Sequence, residues 1–246
     1  MTKISIIIPV LNEGKTIRDL LFHLIDNASL SSISEIIVVD GGSTDGTRDE
    51  VERFKIQRDA ESSSELTNQP KVVLLDSPKS RAKQMNLGAK NAKGDILYFL
   101  HADSFPPNRY DKLILDEVKK GNKAGCFRLK FDSNHWWLRL ASWLTQFSWR
   151  ACRGGDQSQF ITKALFNDIG GYNENYKIYE DNVLINELYA RKAFVVINKK
   201  LTTSARMYKK HGIWKLQYHY WTIYVRKWFG ASADDLCAYY KKHLIN

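Results

Sequence analysis

Acidic and amide side chains follow four short apolar runs of the sequence, at the point where each run ends. Asn12 and Glu13 come after ISIIIP, and Asp40 closes EIIVVD. Asp76 closes KVVLLD, and Asp103 follows DILYFL. Such runs are typical of strands buried on both faces, and open α/β sheets bind ligands just beyond the carboxyl ends of these strands. The pattern predicts that these side chains meet at one edge of a sheet.

A cluster of carboxylates in a basic protein needs an offsetting charge, because neighbouring like charges repel each other. The interpretation that we favour is a divalent cation held by oxygen ligands, with substrate phosphates completing its shell. The alternative for the whole set is a group of unrelated surface aspartates. For Asp103 taken alone, the simpler alternative is an Asx-turn ahead of Pro106 and Pro107.

The elements that must position these side chains alternate between strand and helix. Strands are predicted at 4–9, 35–40, 71–76 and 96–100, and helices at 17–25 and 81–92. This alternation predicts an α/β fold with a mostly parallel sheet and helices on both of its faces. Residues 57–70 are polar and nearly free of large apolar side chains, which predicts a surface loop.

Composition is that of an ordinary globular protein: of 246 residues, 43% are hydrophobic and 26% are charged. No apolar run approaches the roughly 20 residues that span a bilayer, and the start, MTKISIIIPV, predicts a strand rather than a signal peptide. Three widely spaced cysteines without a CxxC pair fit reduced thiols in a cytoplasm. The net charge of +10 calls for an anionic partner: nucleic acid, an anionic membrane or a phosphorylated substrate.

Motif-like blocks cover nearly the whole chain. In order they are IIIPVLNE, VVDGGSTDGT, RAKQMNLGAKNAKGDILYFLHAD, GGDQSQFI, FNDIGGYNENYKIYEDNVLINELYARKA and TTSARMYKKHG. Together they resemble glycosyltransferase family 2, nucleotide-sugar-dependent enzymes of the GT-A fold, and within it a bacterial subgroup with HAD in place of DXD. The resemblance implies one GT-A-like domain over 1–246, with a Rossmann-like nucleotide-binding half (1–103), an acceptor half (104–206) and a helical aromatic and basic tail (207–246).

The resemblance also assigns a donor site. The residues implied to bind the nucleotide sugar are Pro9, Asn12, Glu13, Asp40, Arg81 and Asp103. Asp103 would hold Mn²⁺ or Mg²⁺ against the diphosphate, and His101 stands where the first aspartate of DXD often stands. An imidazole can ligate Mn²⁺ but suits Mg²⁺ poorly, and His101 could equally point into the core. For Arg81 the alternative is a solvated surface arginine.

The acceptor site is predicted in the second half of the chain. Glu180 and Asp181 open a predicted helix, where acidic residues are favoured by the helix dipole, so capping is the simple explanation. The resemblance instead makes this pair catalytic, with Asp181 as the base that deprotonates the acceptor hydroxyl in an inverting reaction. Asp156 and Gln157, after two glycines, are implied to bind the acceptor; a plain glycine turn is the alternative.

Two aromatic segments stand out near the end of the chain. One contains Trp136, Trp137 and Trp143; the other has Trp214, Tyr218, Trp221, Val225 and Trp228 at spacings of four and three. Such stripes are most often core, and we favour the two segments packing on each other. The alternative is an interfacial surface that rests on anionic lipid, with cations around it.

The sequence thus predicts an inverting, metal-assisted glycosyltransferase. Its expected partners are a nucleotide-diphosphate sugar, a hydroxyl acceptor that is lipid-linked or a saccharide, and a divalent cation; no nucleic acid is expected. The expected location is the cytoplasm, with the inner face of the membrane as a variant of it. Two other functions remain open: a sugar-phosphate nucleotidyltransferase, for which PVLNEGKT lacks the Gly-rich phosphate loop, and a non-catalytic module that binds anionic membrane or nucleic acid.

Overall fold

The computed structural model describes residues 2–62, 70–154 and 157–245. The strands are β1 (Ile4–Val10), β2 (Ile33–Asp40), β3 (Lys71–Asp76), β4 (Ile96–Phe99), β5 (Ser104–Phe105), β6 (Ala124–Phe131), β7 (Gln159–Thr162) and β8 (Phe194–Thr203). The helices are α1 (Ile17–Asp26), α2 (Thr47–Ser62), α3 (Arg81–Asn91), α4 (Tyr110–Lys119), α5 (Trp136–Leu144), α6 (Lys163–Ile169), α7 (Glu180–Ala190), α8 (Arg206–His211), α9 (Ile213–Trp228) and α10 (Ala233–Tyr240).

All eight strands belong to one sheet with the order β3-β2-β1-β4-β7-β6-β8-β5. The first four in this order pair in parallel, β6 and β8 are also parallel, and the pairs that involve β7 or β5 are antiparallel. In register, Asp40 lies opposite Val10 on one side and Asp76 on the other. The mostly parallel α/β fold that the sequence predicted is therefore confirmed, and the strand-end residues do share an edge.

Apolar side chains fill both faces of this sheet. Alternate residues of β1 serve opposite sides: Ile6 and Ile8 belong to the core that contains α1, α4, α5 and part of α9, and Ile7 belongs to the core under α3, α6 and α7. Both sets are fully buried. Strands buried on both faces read as continuous apolar runs, which is why these strands could be located from the sequence.

One sequence prediction fails beside β3. The polar segment 57–70 was predicted to be a loop, yet residues 57–62 continue α2, which runs from Thr47 to Ser62; residues 63–69 lie outside the described part of the chain. The helix needs few apolar residues because Val51 and Phe54 alone anchor it to the core. Apart from the exposed Ile56, its remaining described surface is polar and carries local ion pairs, such as Lys55 with Glu52.

The aromatic segments are only partly core. They do contact each other, with ring centroids 5.3 Å apart for Trp137 and Trp214 and 5.9 Å apart for Trp137 and Trp221. Leu216 and Ile223 bury the inner face of α9. The stripe itself faces outward, however, and Trp228 is 85% exposed. The interpretation that we favoured, mutual packing as core, is therefore wrong for most of these side chains.

Candidate active site

The loops after β1 and β2 are locked to each other by Asn12 and Asp40. Asn12 has a left-handed backbone (φ 57°), its N–H donates to the Ser43 hydroxyl (2.9 Å), and its side-chain oxygen accepts from the Thr44 N–H (2.8 Å). The Asp40 carboxylate is almost fully buried and accepts from the N–H groups of Gly42 and Ser43, each at 3.1 Å. These contacts hold two of the predicted residues, Asn12 and Asp40, close together where the loops after β1 and β2 meet.

Arginines offset the carboxylates along this edge. Arg48, in the first turn of α2, faces both Asp40 (3.4 Å) and Asp76, to which it donates a short hydrogen bond. Within the described residues, no group of three or more His, Cys, Asp or Glu side chains is placed to hold a metal ion. The repulsion that suggested a divalent cation is thus largely relieved by the protein itself.

Arg206 joins Glu13 to Asp103. It makes a bidentate pair with Glu13, in which one hydrogen bond measures 2.6 Å, and its Nε lies 3.3 Å from the Asp103 carboxylate. The hydrogen bond that Arg206 donates to Glu13, together with the charges of Asp103 and Glu13, raises the pKa of the Arg206 guanidinium despite partial burial. Asp103 is further fixed through its carbonyl, which accepts from the Ser204 N–H at 3.2 Å. Residues about 190 positions apart in sequence therefore form one charged cluster.

Arg81 forms ion pairs with both members of the predicted catalytic pair. Its Nη1 lies 3.2 Å from Glu180 Oε1 and 3.6 Å from Asp181 Oδ2. Glu180 is 1% exposed and neither of its carboxylate oxygens has a hydrogen-bond donor in the described structure, so Arg81 balances it as an ion pair. Burial and the charges of Asp181 and Glu180 raise the pKa of Tyr172 well above its usual value, which keeps this phenol neutral.

The backbone just before the acidic pair places both residues at the start of a helix. Tyr179 has a left-handed conformation (φ 71°) immediately before α7, so Glu180 and Asp181 form the first helical residues. Their carboxylates lie at the positive end of the helix dipole, where negative charge is favoured. Capping and a role in catalysis are compatible here, because both need ionised side chains.

Gln84 connects the cluster around Arg81 to the edge of the sheet. Its buried amide donates to the carbonyls of Val10 (2.8 Å) and Val39 (2.7 Å), at the ends of β1 and β2. Arg81 begins the same helix, α3, so this helix connects the acidic pair of α7 to the ends of β1 and β2.

The remaining predicted residues are Pro9, His101, Asp156 and Gln157. Pro9 lies within β1 opposite Val39, and His101 follows β4 half-buried, with its carbonyl accepting from the Ser104 N–H. Gln157 is buried, and its amide is engaged with Arg153 (2.9 Å) and the Cys152 carbonyl (3.0 Å). Asp156 lies outside the described residues. Their predicted roles stay predictions.

Sequence reasoning named Arg81 but missed Arg48, Arg206 and Arg153. Two of them could have been suspected, because an arginine directly after VVDGGSTDGT and another just beyond β8 stand where the sheet edge collects carboxylates. Arg153 is nearly fully buried, and its Nη2 donates to the carbonyls of Thr145 (2.6 Å) and Phe147 (2.8 Å). Its role in fixing the segment before β7 depends on tertiary contacts alone.

Replacing Arg81 by glutamine is expected to lower the free energy of unfolding by about 1–2 kcal/mol. Breaking a buried pair leaves an uncompensated charge, and the usual cost is reduced here because Arg81 is 48% exposed. Adding Glu180→Gln in the Arg81→Gln background should recover most of that loss. Urea denaturation of the two single variants and the double variant measures the coupling; strictly additive losses would contradict it.

The fold matches that of glycosyltransferases with the GT-A fold. A mannosyltransferase from Pyrobaculum calidifontis, solved with GDP-Man and Mn²⁺, superposes with a TM-score of 0.63 at 17% identity, covering 100% of this chain and 65% of its own. TarS from S. aureus, solved with UDP, superposes with a TM-score of 0.62 at 19% identity, covering 82% of this chain and 60% of its own.

The family follows from the sequence of residues 5–194, which matches the model of glycosyl transferase family 2. The chain belongs to this family. It is 26% identical over 201 residues to the succinoglycan biosynthesis protein ExoA of Rhizobium meliloti (strain 1021), covering 73% of this chain and 56% of ExoA. It is 34% identical over 121 residues to the dolichol-phosphate mannosyltransferase of Pyrococcus furiosus, covering 49% of this chain and 31% of that relative. The chain thus spans about a third to a half of the length of these relatives.

Proposed function

We propose that the protein is an inverting glycosyltransferase that moves a sugar from a nucleotide-diphosphate sugar to an acceptor hydroxyl. The observation that carries the proposal is the pairing of Glu180 and Asp181 at the start of α7 with Arg81, which begins the helix that Gln84 bonds to the end of β1. Membership of glycosyl transferase family 2 and the nucleotide-sugar complexes among similar structures support it.

Asp181 acts as the general base in this proposal. Its carboxylate takes the proton of the acceptor hydroxyl as the oxygen attacks the anomeric carbon of the donor. The bond from that carbon to the diphosphate oxygen breaks with its electron pair moving to the diphosphate, so a single displacement inverts the centre. Glu180 is too enclosed to meet an acceptor and has a positioning role, because it fixes Arg81 next to Asp181.

The departing diphosphate develops negative charge, which positively charged side chains of the site can stabilise. Arg206 is half-exposed and already lies between Glu13 and Asp103, so it can turn toward a bound diphosphate. Asp103, with His101 nearby in sequence, is the residue that would hold Mn²⁺ or Mg²⁺. One carboxylate with water and substrate phosphates is a common way to bind Mg²⁺, so the residues fit such an ion, which would neutralise the leaving group.

The acceptor in this proposal carries its hydroxyl on a lipid-linked or saccharide group. The lipid option is supported by the name of the Pyrococcus relative, a dolichol-phosphate mannosyltransferase. The saccharide option is supported by ExoA, named for succinoglycan biosynthesis. Asp156 and Gln157 are the residues proposed for the acceptor side.

A thermal-shift panel tests the function. UDP-, GDP- and dTDP-sugars, each with Mn²⁺ or Mg²⁺, are compared with the cation alone. A ligand at about 100 times its Kd stabilises the folded state by about 2.7 kcal/mol, which for a chain of this size is a rise in Tm of roughly 5–10 °C. We expect such a rise with one nucleotide class. Ile56→Ser, on the exposed side of α2, is a matched variant that should respond like the natural chain.

The two alternatives give other patterns in the same panel. A sugar-phosphate nucleotidyltransferase would be stabilised by a nucleoside triphosphate together with a sugar 1-phosphate, and less by the nucleotide sugars. A non-catalytic binding module would show no shift with any nucleotide or cation. Either pattern would overturn the proposed function.

A further inference from the structure

Two helices place an unusual number of large apolar side chains on the surface. On α5, Trp136, Leu140 and Trp143 are spaced by four and three residues and face outward. On α9, the spacing continues through Trp214, Tyr218, Trp221, Val225 and Trp228, all of them exposed. We call these eight side chains the aromatic face. Trp136 and Trp214 contact each other, with ring centroids 5.8 Å apart, so the two stripes form one continuous surface.

A basic cleft adjoins the aromatic face. It has a volume of about 450 Å³ and lies between β6, β8 and α5, with Leu140 and Trp143 in its wall. Its charged lining consists of Arg128, Lys130, Arg139 and Lys200. Among the described residues, no carboxylate lines this cleft, and none of these four cations takes part in a salt bridge.

The exposed aromatic side chains and the cations point to one kind of partner. Tryptophan and tyrosine are favoured at the headgroup level of a bilayer, and clustered cations are attracted to anionic lipid. A second copy of the chain fits less well, because an isologous dimer would bring two such basic clefts together. No helix within the described residues is long and apolar enough to cross a bilayer, so α9 would lie along the surface.

We propose that the aromatic face and the basic cleft together form a docking surface for an anionic lipid bilayer, with the aromatic side chains at headgroup depth and the lipid phosphates in the cleft. The inner side of α9 reaches the segment that precedes Asp181: Lys227 donates to the Tyr176 hydroxyl (2.6 Å), and the Tyr224 ring contacts Tyr179. Docking would therefore bring the acceptor side of the site next to the membrane. The docking surface stands independently of the proposed reaction.

Vesicle co-sedimentation of the whole chain tests the proposal. Vesicles of phosphatidylcholine alone are compared with vesicles containing phosphatidylglycerol, at 0.1 M salt, where charges farther than about 10 Å from the lipid are screened. We expect binding to the anionic vesicles, weakened at high salt. All seven tryptophans lie between positions 136 and 228, so a blue shift of tryptophan emission should accompany binding.

Matched variants locate the surface. Lys130→Gln with Lys200→Gln should weaken vesicle binding roughly 30-fold, from the usual contribution of a lysine near an anionic surface. The control pair Lys90→Gln with Lys93→Gln, at the end of α3 on the other sheet face, removes the same charge and should change binding less than threefold. Trp143→Ser with Trp228→Ser should also weaken binding at least tenfold, whereas Ile56→Ser on α2 should not.

Three outcomes would overturn the docking surface. The first is no sedimentation with anionic vesicles, and the second is equal loss of binding in the cleft pair and the control pair. The third is a concentration-dependent dimer that buries the tryptophans without lipid, which would assign the aromatic face to a second copy of the chain. Thermal melts of all variants verify folding, and the nucleotide panel is read separately, so failure of docking leaves the proposed reaction untouched.

Discussion

Asp181→Asn is expected to lower kcat by about 10²–10⁴-fold while the Kd for the nucleotide sugar changes less than about twofold. The amide keeps the size and polarity of the carboxylate but cannot accept the proton of the acceptor hydroxyl, and a general base contributes on this order. Donor binding should persist because Asp40 and Asn12, which are proposed to bind the donor, are held in place by Ser43. These hydrogen bonds do not involve Asp181. Initial rates with saturating acceptor and calorimetric titration of the donor measure the two effects separately.

A matched control separates chemistry from charge. Asp168→Asn removes a carboxylate near the end of α6 that pairs with Arg191 on an exposed part of the surface, and it should leave both kcat and Kd unchanged. Glu180→Gln should weaken stability rather than abolish turnover, since Glu180 is buried behind Arg81. Equal losses of turnover and donor affinity in Asp181→Asn would contradict the role of base.

The strands and the edge they share were predictable because burial on both faces leaves a plain signal. ISIIIP and EIIVVD form β1 and β2, which are buried on both faces, whereas KVVLLD forms β3 at the end of the strand order. Parallel pairing of β2 with β3 then brings Asp40 and Asp76 together. The counter-charges were harder. The repulsion was foreseen, but Arg206 reaches Asp103 and Glu13 because β8 pairs with β5, which begins directly after Asp103, and this pairing is a property of the folded sheet.

The aromatic stripe shows where periodicity stops being informative. The spacing of Trp214, Tyr218 and Trp221 correctly predicted a helix with one apolar side. However, α9 has a second apolar side, formed by Leu216 and Ile223, and only one of the two can face the sheet. In the fold it is the side with Leu216 and Ile223 that is buried. Local sequence carries no record of that competition.

Arg206→Gln is expected to lower turnover by about 10²-fold, the usual effect of removing one group that stabilises charge in the transition state. The same variant should gain a response to divalent cations in the absence of nucleotide. Without the guanidinium, Glu13 and Asp103 lose the positive charge that joins these two mostly buried carboxylates, and Mn²⁺ or Mg²⁺ can take its place. Thermal melts with and without each cation should therefore show a larger stabilisation for Arg206→Gln than for the natural chain.

Arg191→Gln supplies the control, because Arg191 also faces two carboxylates, Asp168 and Glu187, but on the exposed surface. It should show neither the loss of turnover nor the new response to cations. If Arg206 only ties β8 to β1, Arg206→Gln would lower Tm while the donor Kd and the cation response stay as they are. A cation response that appears in Arg206→Gln and disappears when Asp103→Asn is added would instead place the ion at Asp103, because this arginine and the metal would then be competing for one carboxylate.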